Sequence, residues 1–231
     1  MEKKLFTFFL ILTASVSAIY AQSGSCGDNV RWEFNAGTGV LSISGTGEMR
    51  NYDYTSVSKI PWYGYRSYIK TVIINNGVSS IGDYAFYWCD GLTSASIPSS
   101  VTSIGMSAFY ACKSLVDICL PDSLNRIKER AFLGCKSLIS LTIPNKVNRI
   151  DYGAFEECIS LTSVTIPKSL TNIGEHAFAR CALLTSIVNY AITPQTLETK
   201  TFMNVNQSSC TLYVPKASIL LYNEANIWKD F

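Results

Sequence analysis

Five phenylalanines stand 23 residues apart, at Phe86, Phe109, Phe132, Phe155 and Phe178. Cysteines keep the same step at Cys89, Cys112, Cys135, Cys158 and Cys181, and prolines keep it at Pro98, Pro121, Pro144 and Pro167. Three markers in one phase, with no insertion between them, leave little room for an irregular globular topology. A fixed period of roughly 20 to 50 residues marks units that cannot bury their own apolar side and must stack on copies of themselves.

The columns between the markers assign the faces. Ala95/Ile97, Ile118/Leu120, Leu141/Ile143 and Val164/Ile166 are apolar pairs two residues apart, so each pair points to one side of a short strand. That side is inward. Ser94, Ser96, Asp117, Cys119, Ser140, Thr142, Ser163 and Thr165 alternate with them and point outward. The following proline lacks an N–H and suits the end of a ladder. Val101/Ile104, Leu124/Ile127, Val147/Ile150 and Leu170/Ile173 then turn inward again. Gly82, Gly105, Asp151 and Gly174 come next and open a short turn that the phenylalanine pins to the core. Lys128 shares their column, which argues against a positive φ there. The pattern predicts an α/β solenoid of the leucine-rich repeat kind, with 23-residue coils. Short parallel strands line one face, short helical turns lie opposite, and both ends are capped.

The chain opens with Lys3 and Lys4, an apolar run from Leu5 to Val16, and small residues, which is the layout of a secretory signal peptide cleaved after Ala18 or Ala21. The run is shorter than the roughly 20 residues of a membrane span. The expected division is a signal peptide at 1–21, an N-terminal β-rich cap at 22–68, the solenoid at 69–191, and a degenerate last coil with a C-terminal cap at 192–231. VRWEFN and VLSISGTG read as a hairpin covering the first coil. CTLYVP reads as a closing strand, and Ile219, Tyr222 and Ile227 as one face of a last helix.

Eight cysteines in an exported chain suggest disulfides, but five of them fall in one inward column, where a small, apolar thiol packs well. Buried free thiols, bridges between stacked neighbours, and a metal are the alternatives. A column spreads ligands along an axis, whereas a metal draws them to one centre. Cys119 falls on the outward row. The formal net charge is +2 with no basic block, which removes the electrostatic footprint of a nucleic-acid binder. His176 is the only histidine and has no nucleophile fixed beside it, and no phosphate-binding glycine motif is present. Neither cofactor nor metal is expected, and the chain reads as a monomer.

Ile97-Pro98, Val101, Ile104-Gly105, Ala108-Phe109 and Cys112, repeated at each step of 23, resemble the BspA-like family of bacterial leucine-rich repeat surface proteins. The leader GSCGDNVRWEFNAGTGVLSISGTGEM, together with IPWYGY, is similar to that family's N-terminal cap. The resemblance implies secretion or surface display, and adhesion to an extracellular matrix protein, a microbial-surface protein or a glycan.

Two surfaces are candidates for such a partner. One is the outward strand row from Ser94 to Thr165, presented as a curved parallel sheet. The other is aromatic: Trp62, Tyr63, Tyr84, Tyr87, Trp88 and Tyr110. Tyr84, Tyr87, Trp88 and Tyr110 occupy columns that elsewhere hold Glu156, Glu157, His176 and Arg180, and charge-accepting columns usually face water. Packing under the N-terminal cap is the alternative for these rings. For the whole chain, a structural or spacer repeat of the envelope is the second reading, and a surface hydrolase a remote third.

Overall fold

The structure is a computed structural model and describes residues 21–231, so the expected signal peptide lies outside the described residues apart from Ala21. Four strands begin it: β1 (Gln22–Ser25), β2 (Val30–Asn35), β3 (Val40–Gly45) and β4 (Gly47–Glu48). The next five coils each contribute one strand to each of two faces, and the last two add a strand to the first face only. The first face takes β5 (Thr71–Ile74), β7 (Ser94–Ser96), β9 (Asp117–Ile118), β11 (Ser140–Thr142), β13 (Ser163–Ile166), β15 (Ser186–Asn189) and β16 (Thr211–Tyr213). The second takes β6 (Val78–Ile81), β8 (Ser103–Ile104), β10 (Arg126–Ile127), β12 (Arg149–Ile150) and β14 (Asn172–Ile173). Strand pairing on both faces is parallel from coil to coil and steps by 23, with Ser94 opposite Asp117, Ser140 opposite Ser163, and Arg126 opposite both Ser103 and Arg149. The hairpin forms as expected, β2 pairing antiparallel with β3, and β3 then lies parallel on β5.

The second sheet face was not separated from the first by alternation alone. Its strands are two residues long in most coils, too short to show a period. At each first-face strand end, the proline carbonyl accepts the N–H three residues on, as in Val101 N to Pro98 O and Leu124 N to Pro121 O. These turns take the chain from the first face to the second.

The third side departs from the expected helical turn: coils 69–191 contain tight turns and no helix. The backbone there alternates its bonding. Ala85, Tyr87 and Cys89 donate to carbonyls three residues back, whereas Tyr84, Phe86 and Trp88 donate across to Met106, Ala108 and Tyr110 of the next coil. The same triplet recurs as Ser107, Phe109 and Ala111 to Glu129, Ala131 and Leu133. Each coil therefore satisfies its turn amides through its neighbour, as a buried backbone requires. This alternation demands left-handed residues in two columns. Tyr84, Ser107, Arg130, Gly153 and His176 fill one, and Trp88, Ala111, Gly134, Glu157 and Arg180 the other, all with φ between 52° and 74°. The column of Gly82, Gly105 and Gly174 has no positive φ. Its glycines answer a close approach instead: a Cβ on Gly105 would lie 2.5 Å from the Asp83 N, and one on Gly174 2.7 Å from the Asp151 carbonyl carbon.

Inside, the five phenylalanines are fully buried and stack face to face. Phe109–Phe132 and Phe132–Phe155 have centroids 5.2 and 5.3 Å apart and are nearly parallel. Phe202 adds a sixth ring, 5.5 Å from Phe178. A tryptophan closes each end. Trp62 lies on Phe86 and donates Nε1–H to Ala85 O, and Trp228 meets Phe202 edge-on and donates to Gln195 O. The cysteine column lies beside this spine, fully buried. Cys112, Cys135, Cys158 and Cys181 each point Sγ at the phenylalanine carbonyl of the preceding coil, 3.2–3.4 Å away. The S–H is thus a weak donor to a carbonyl that already accepts one backbone bond, a role beyond filling space. All eight cysteines are free thiols, and Cys119 is the exposed one.

The C-terminal cap differs in part from the expected one. β16 closes the first face by lying parallel on β15. The helix α1 (Ile219–Glu224) buries Tyr222, whose hydroxyl donates to Ala191 O, but Ile219 faces water and Ile227 lies beyond the helix end at φ 70°. The cap docks through the tyrosine, Trp228 and Ile227, so Ile219 is free of the core.

Candidate functional site

The outward strand row lies where alternation placed it. Ser94, Ser96, Asp117, Cys119, Ser140 and Thr142 are exposed, and Ser163 and Thr165 half-buried. Register carries the row further than the eight residues. Thr71 and Ile73 continue it at one end, and Ser186, Val188, Thr211 and Tyr213 at the other. Ile73 and Tyr213 give the two ends an apolar residue that the serines and threonines do not. The row is interrupted once. No ladder pairs β9 with β11, and a groove of about 210 Å³ opens there between Asp117, Cys119, Asp122, Ser140, Thr142 and Pro144. β9 is only two residues long, and Leu120 is half-buried where Ile143 and Ile166 are buried. The strand leaves the plane early, which uncovers Cys119.

The six aromatic residues divide. Trp62 is 1 % exposed and is the lid of the phenylalanine spine. Of the two readings, open patch or packing under the cap, Trp62 takes the second: its face stacks on Phe86 and its N–H is used by Ala85. Tyr63 is half-buried, its ring covered by the Arg66 guanidinium 4.3 Å from the centroid. The other four come together. Tyr87 stacks on Tyr110 at 5.0 Å and on Trp88 at 6.1 Å, and Tyr84 lies 5.4 Å away. Trp88 is 45 % exposed, and the three tyrosines are half-buried. Burial, with the neighbouring phenols of Tyr110, Tyr54, Tyr63 and Tyr84, pushes the Tyr87 hydroxyl up to about 12. A groove of about 190 Å³ opens among Tyr54, Tyr84, Tyr87, Ser107, Tyr110 and Arg130. Tyr54, Ser107 and Arg130 were outside the expected patch. Ser107 and Arg130 share the left-handed column of Tyr84, so the repeat held the signal for them, while Tyr54 arrives from the cap.

Further along the same side the columns become ionic. Glu156 is 8 % exposed although its column also holds Tyr87 and Tyr110. Arg180 Nη1 lies 2.8 Å from its Oε1 and 3.3 Å from Glu157 Oε1. His176 Nδ1 is 3.7 Å from Glu156 Oε1, too long for a hydrogen bond, and is buried without a hydrogen-bond partner. A charge-accepting column is therefore not an outward column here: the guanidinium of the next coil makes burial of the carboxylate tolerable. On the second sheet face, Asp151 likewise receives Arg126 from the preceding coil, and Arg149 from its own.

The chemistry these side chains offer is limited. Burial drives the thiols of Cys89, Cys112, Cys135 and Cys158 far above the usual cysteine range and that of Cys181 to about 12, so none is a thiolate nucleophile at neutral pH. Among the described residues, no group of three or more His, Cys, Asp or Glu side chains is placed to hold a metal ion. No helix among them is long and apolar enough to cross a membrane.

No curated protein matches the chain. Solved structures do. A leucine-rich repeat protein of T. pallidum is 30% identical, with 68% of this chain and 67% of that one covered and a TM-score of 0.51. A leucine-rich repeat protein of Eubacterium ventriosum is 20% identical over 85% of each chain, with a TM-score of 0.45. A leucine rich cell surface protein of Faecalibacterium prausnitzii is 24% identical over 77% of this chain and 57% of its own, with a TM-score of 0.48. The profile of the BspA type leucine rich repeat region matches six copies across residues 58–185, the span over which the coils, the phenylalanine spine and the cysteine column repeat. The chain belongs to the BspA type leucine rich repeat family.

Proposed function

We propose that the protein is an exported, non-catalytic binding module whose first sheet face engages a protein of the extracellular matrix or of a microbial surface. The observation that carries this reading is the outward row itself. Parallel register lays it along two ladders that meet at a groove beside Cys119, and its residues from Ser94 to Thr142 are exposed. Solenoids present such faces to partners. The absence of catalysis is supported by the deeply buried thiols and by a lone histidine whose neighbours are carboxylates and a tyrosine ring. A serine- and threonine-lined row has few of the Trp, Tyr and Arg anchors that dominate interfaces, and this favours the second reading, a spacer with no ligand.

The two readings separate in one experiment. The chain from Gln22 onward is immobilised and exposed to purified matrix proteins and to microbial-surface protein fractions, beside Thr142→Arg and Ser96→Arg variants. A partner retained by the unaltered protein and lost by both variants supports the sheet-face site. Retention that survives both variants, or none at all, supports the spacer.

A further inference from the structure

We propose that the groove on the turn side is a second site, separate from the sheet face, which takes a single sugar ring carrying a carboxylate within an acidic polysaccharide. Tyr84 and Tyr87 pack partly against the core, but the coil does not require rings there. The column of Tyr87 and Tyr110 holds Leu133, Glu156 and Ala179 in later coils, and the column of Trp88 holds Ala111, Gly134, Glu157 and Arg180, with the same left-handed backbone. A bulky residue at positive φ costs about 1–3 kcal/mol where glycine costs little. Tyr84 and Trp88, at φ 58° and 57° in one coil, place large rings in these two columns, and both rings meet Tyr87. The outcome is a stacked aromatic platform open to water.

The platform has the chemistry of a sugar site. Its π faces suit the C–H face of a pyranose. No hydroxyl of Tyr54, Tyr84, Tyr87 or Tyr110 hydrogen-bonds within the described chain, and none of these four residues is buried. The groove, at about 190 Å³, is smaller than the roughly 300–1,000 Å³ of sites for drug-sized molecules and suits one ring rather than a folded peptide segment. The rim is cationic. Arg130 lines the groove, with its guanidinium 5.1 Å from the Tyr152 centroid, and Lys113 Nζ sits 5.6 Å from the Trp88 centroid. Arg130 shares one Nη1 with Glu129, leaving further donors in its fork, and among the described residues Lys113 has no acidic partner within 4.0 Å. A carboxylate on the sugar gains a charge-assisted bond from Arg130, which the hydroxyls of a neutral sugar make only in weaker form.

The repeat supplies its own fold-neutral variants. Tyr87→Leu and Tyr110→Leu install the side chain that Leu133 already carries in that column, and Arg130→Ser installs that of Ser107. Binding is read from quenching of Trp88 fluorescence and by calorimetry, with three probes: an oligosaccharide of galacturonic acid, its neutral galactose counterpart, and dextran sulfate. The expected result is binding of the galacturonate probe at least about tenfold tighter than the galactose probe. Tyr87→Leu should weaken it at least about tenfold, as loss of a stacking partner does. Arg130→Ser should bring the two sugars within about threefold of each other. Thr142→Arg, on the sheet face, should leave it unchanged, so this site stands or falls separately from that one. No binding of galacturonate, equal binding of galactose, or tight dextran sulfate binding that survives Tyr87→Leu would each overturn the proposal, the last by showing charge attraction alone.

Discussion

Phe132 lies midway along the spine, fully buried between two parallel rings, and truncating it measures how far the coils depend on one another. Removing a buried aromatic side chain forfeits roughly 150–250 Å² of apolar burial at about 25 cal/mol per Å², and core Phe→Ala changes cost about 3–5 kcal/mol. We expect Phe132→Ala to cost about 4 kcal/mol, a large share of the roughly 5–15 kcal/mol that holds a domain together. Phe132→Leu keeps most of the burial but loses both stacks, at 5.2 and 5.3 Å, each worth about 0.5–1.5 kcal/mol. It should cost about 2 kcal/mol. Urea unfolding followed by tryptophan fluorescence suits the measurement, because Trp62 and Trp228 are buried at opposite ends of the column. With a slope of about 2–3 kcal/mol per molar, the alanine variant's midpoint should fall by about 1.5–2 M. A fall of less than about 0.3 M would refute the reasoning, since it would mean that the ring is either wet or not shared between coils.

Further outcomes follow from particular contacts. In native protein at pH 8, an aromatic disulfide reagent should label Cys119 alone within minutes and all eight thiols in denaturant; fast labelling of a second native thiol would contradict the buried column. Burial lifts the folded thiols of Cys26 and Cys181 to about 12, above the value near 9 of an exposed thiol. Between those values the unfolded chain has lost protons that the folded chain keeps, so stability is full below pH 9 and falls as pH rises beyond it. Thermal melts from pH 7 to 11 should show that fall, and Cys181→Ala should flatten it. Gly105→Ala, whose Cβ would meet backbone at 2.5 Å, should cost more than about 2 kcal/mol, whereas Gly134→Ala, with ordinary contact to Ala111 at 3.6 Å and a positive φ to bear, should cost about 1 kcal/mol; equal costs in denaturant titrations would remove the close-approach argument. Asp151→Ala should cost about 1–2 kcal/mol, discounted for the half-exposed arginines, and the loss should shrink in 1 M salt.

The parts of the fold legible in the sequence are those in which one residue type recurs at one phase. Phe, Cys, Pro and the apolar strand pairs do so, and the stack, its register and its outward row follow from them. The left-handed columns were hidden because the backbone, not the side chain, is what repeats. Tyr84, Ser107, Arg130, Gly153 and His176 share a conformation that sterics usually reserve for glycine, and only one of the five is glycine. Their amides are tied to the next coil, which enforces the geometry whatever the residue. Burial at Glu156 was hidden for a related reason: its partner Arg180 comes from the next coil, 24 residues on, and a column read singly does not show it. Trp62 stayed between patch and cap because its sequence neighbours Tyr63 and Tyr65 lie nearer the surface, while its own contacts are with Phe86 and Ala85.

On its coil side, each tryptophan lid meets a phenylalanine ring and a main-chain oxygen, and every coil supplies both. Nothing in either lid counts the coils between them. Cutting out one 23-residue period would shorten the rod by about 5 Å, the spacing of its rings, and return both tryptophans to equivalent seats. Length in this architecture is therefore a variable independent of how the ends are sealed, and reach can change by whole steps without redesigning either terminus.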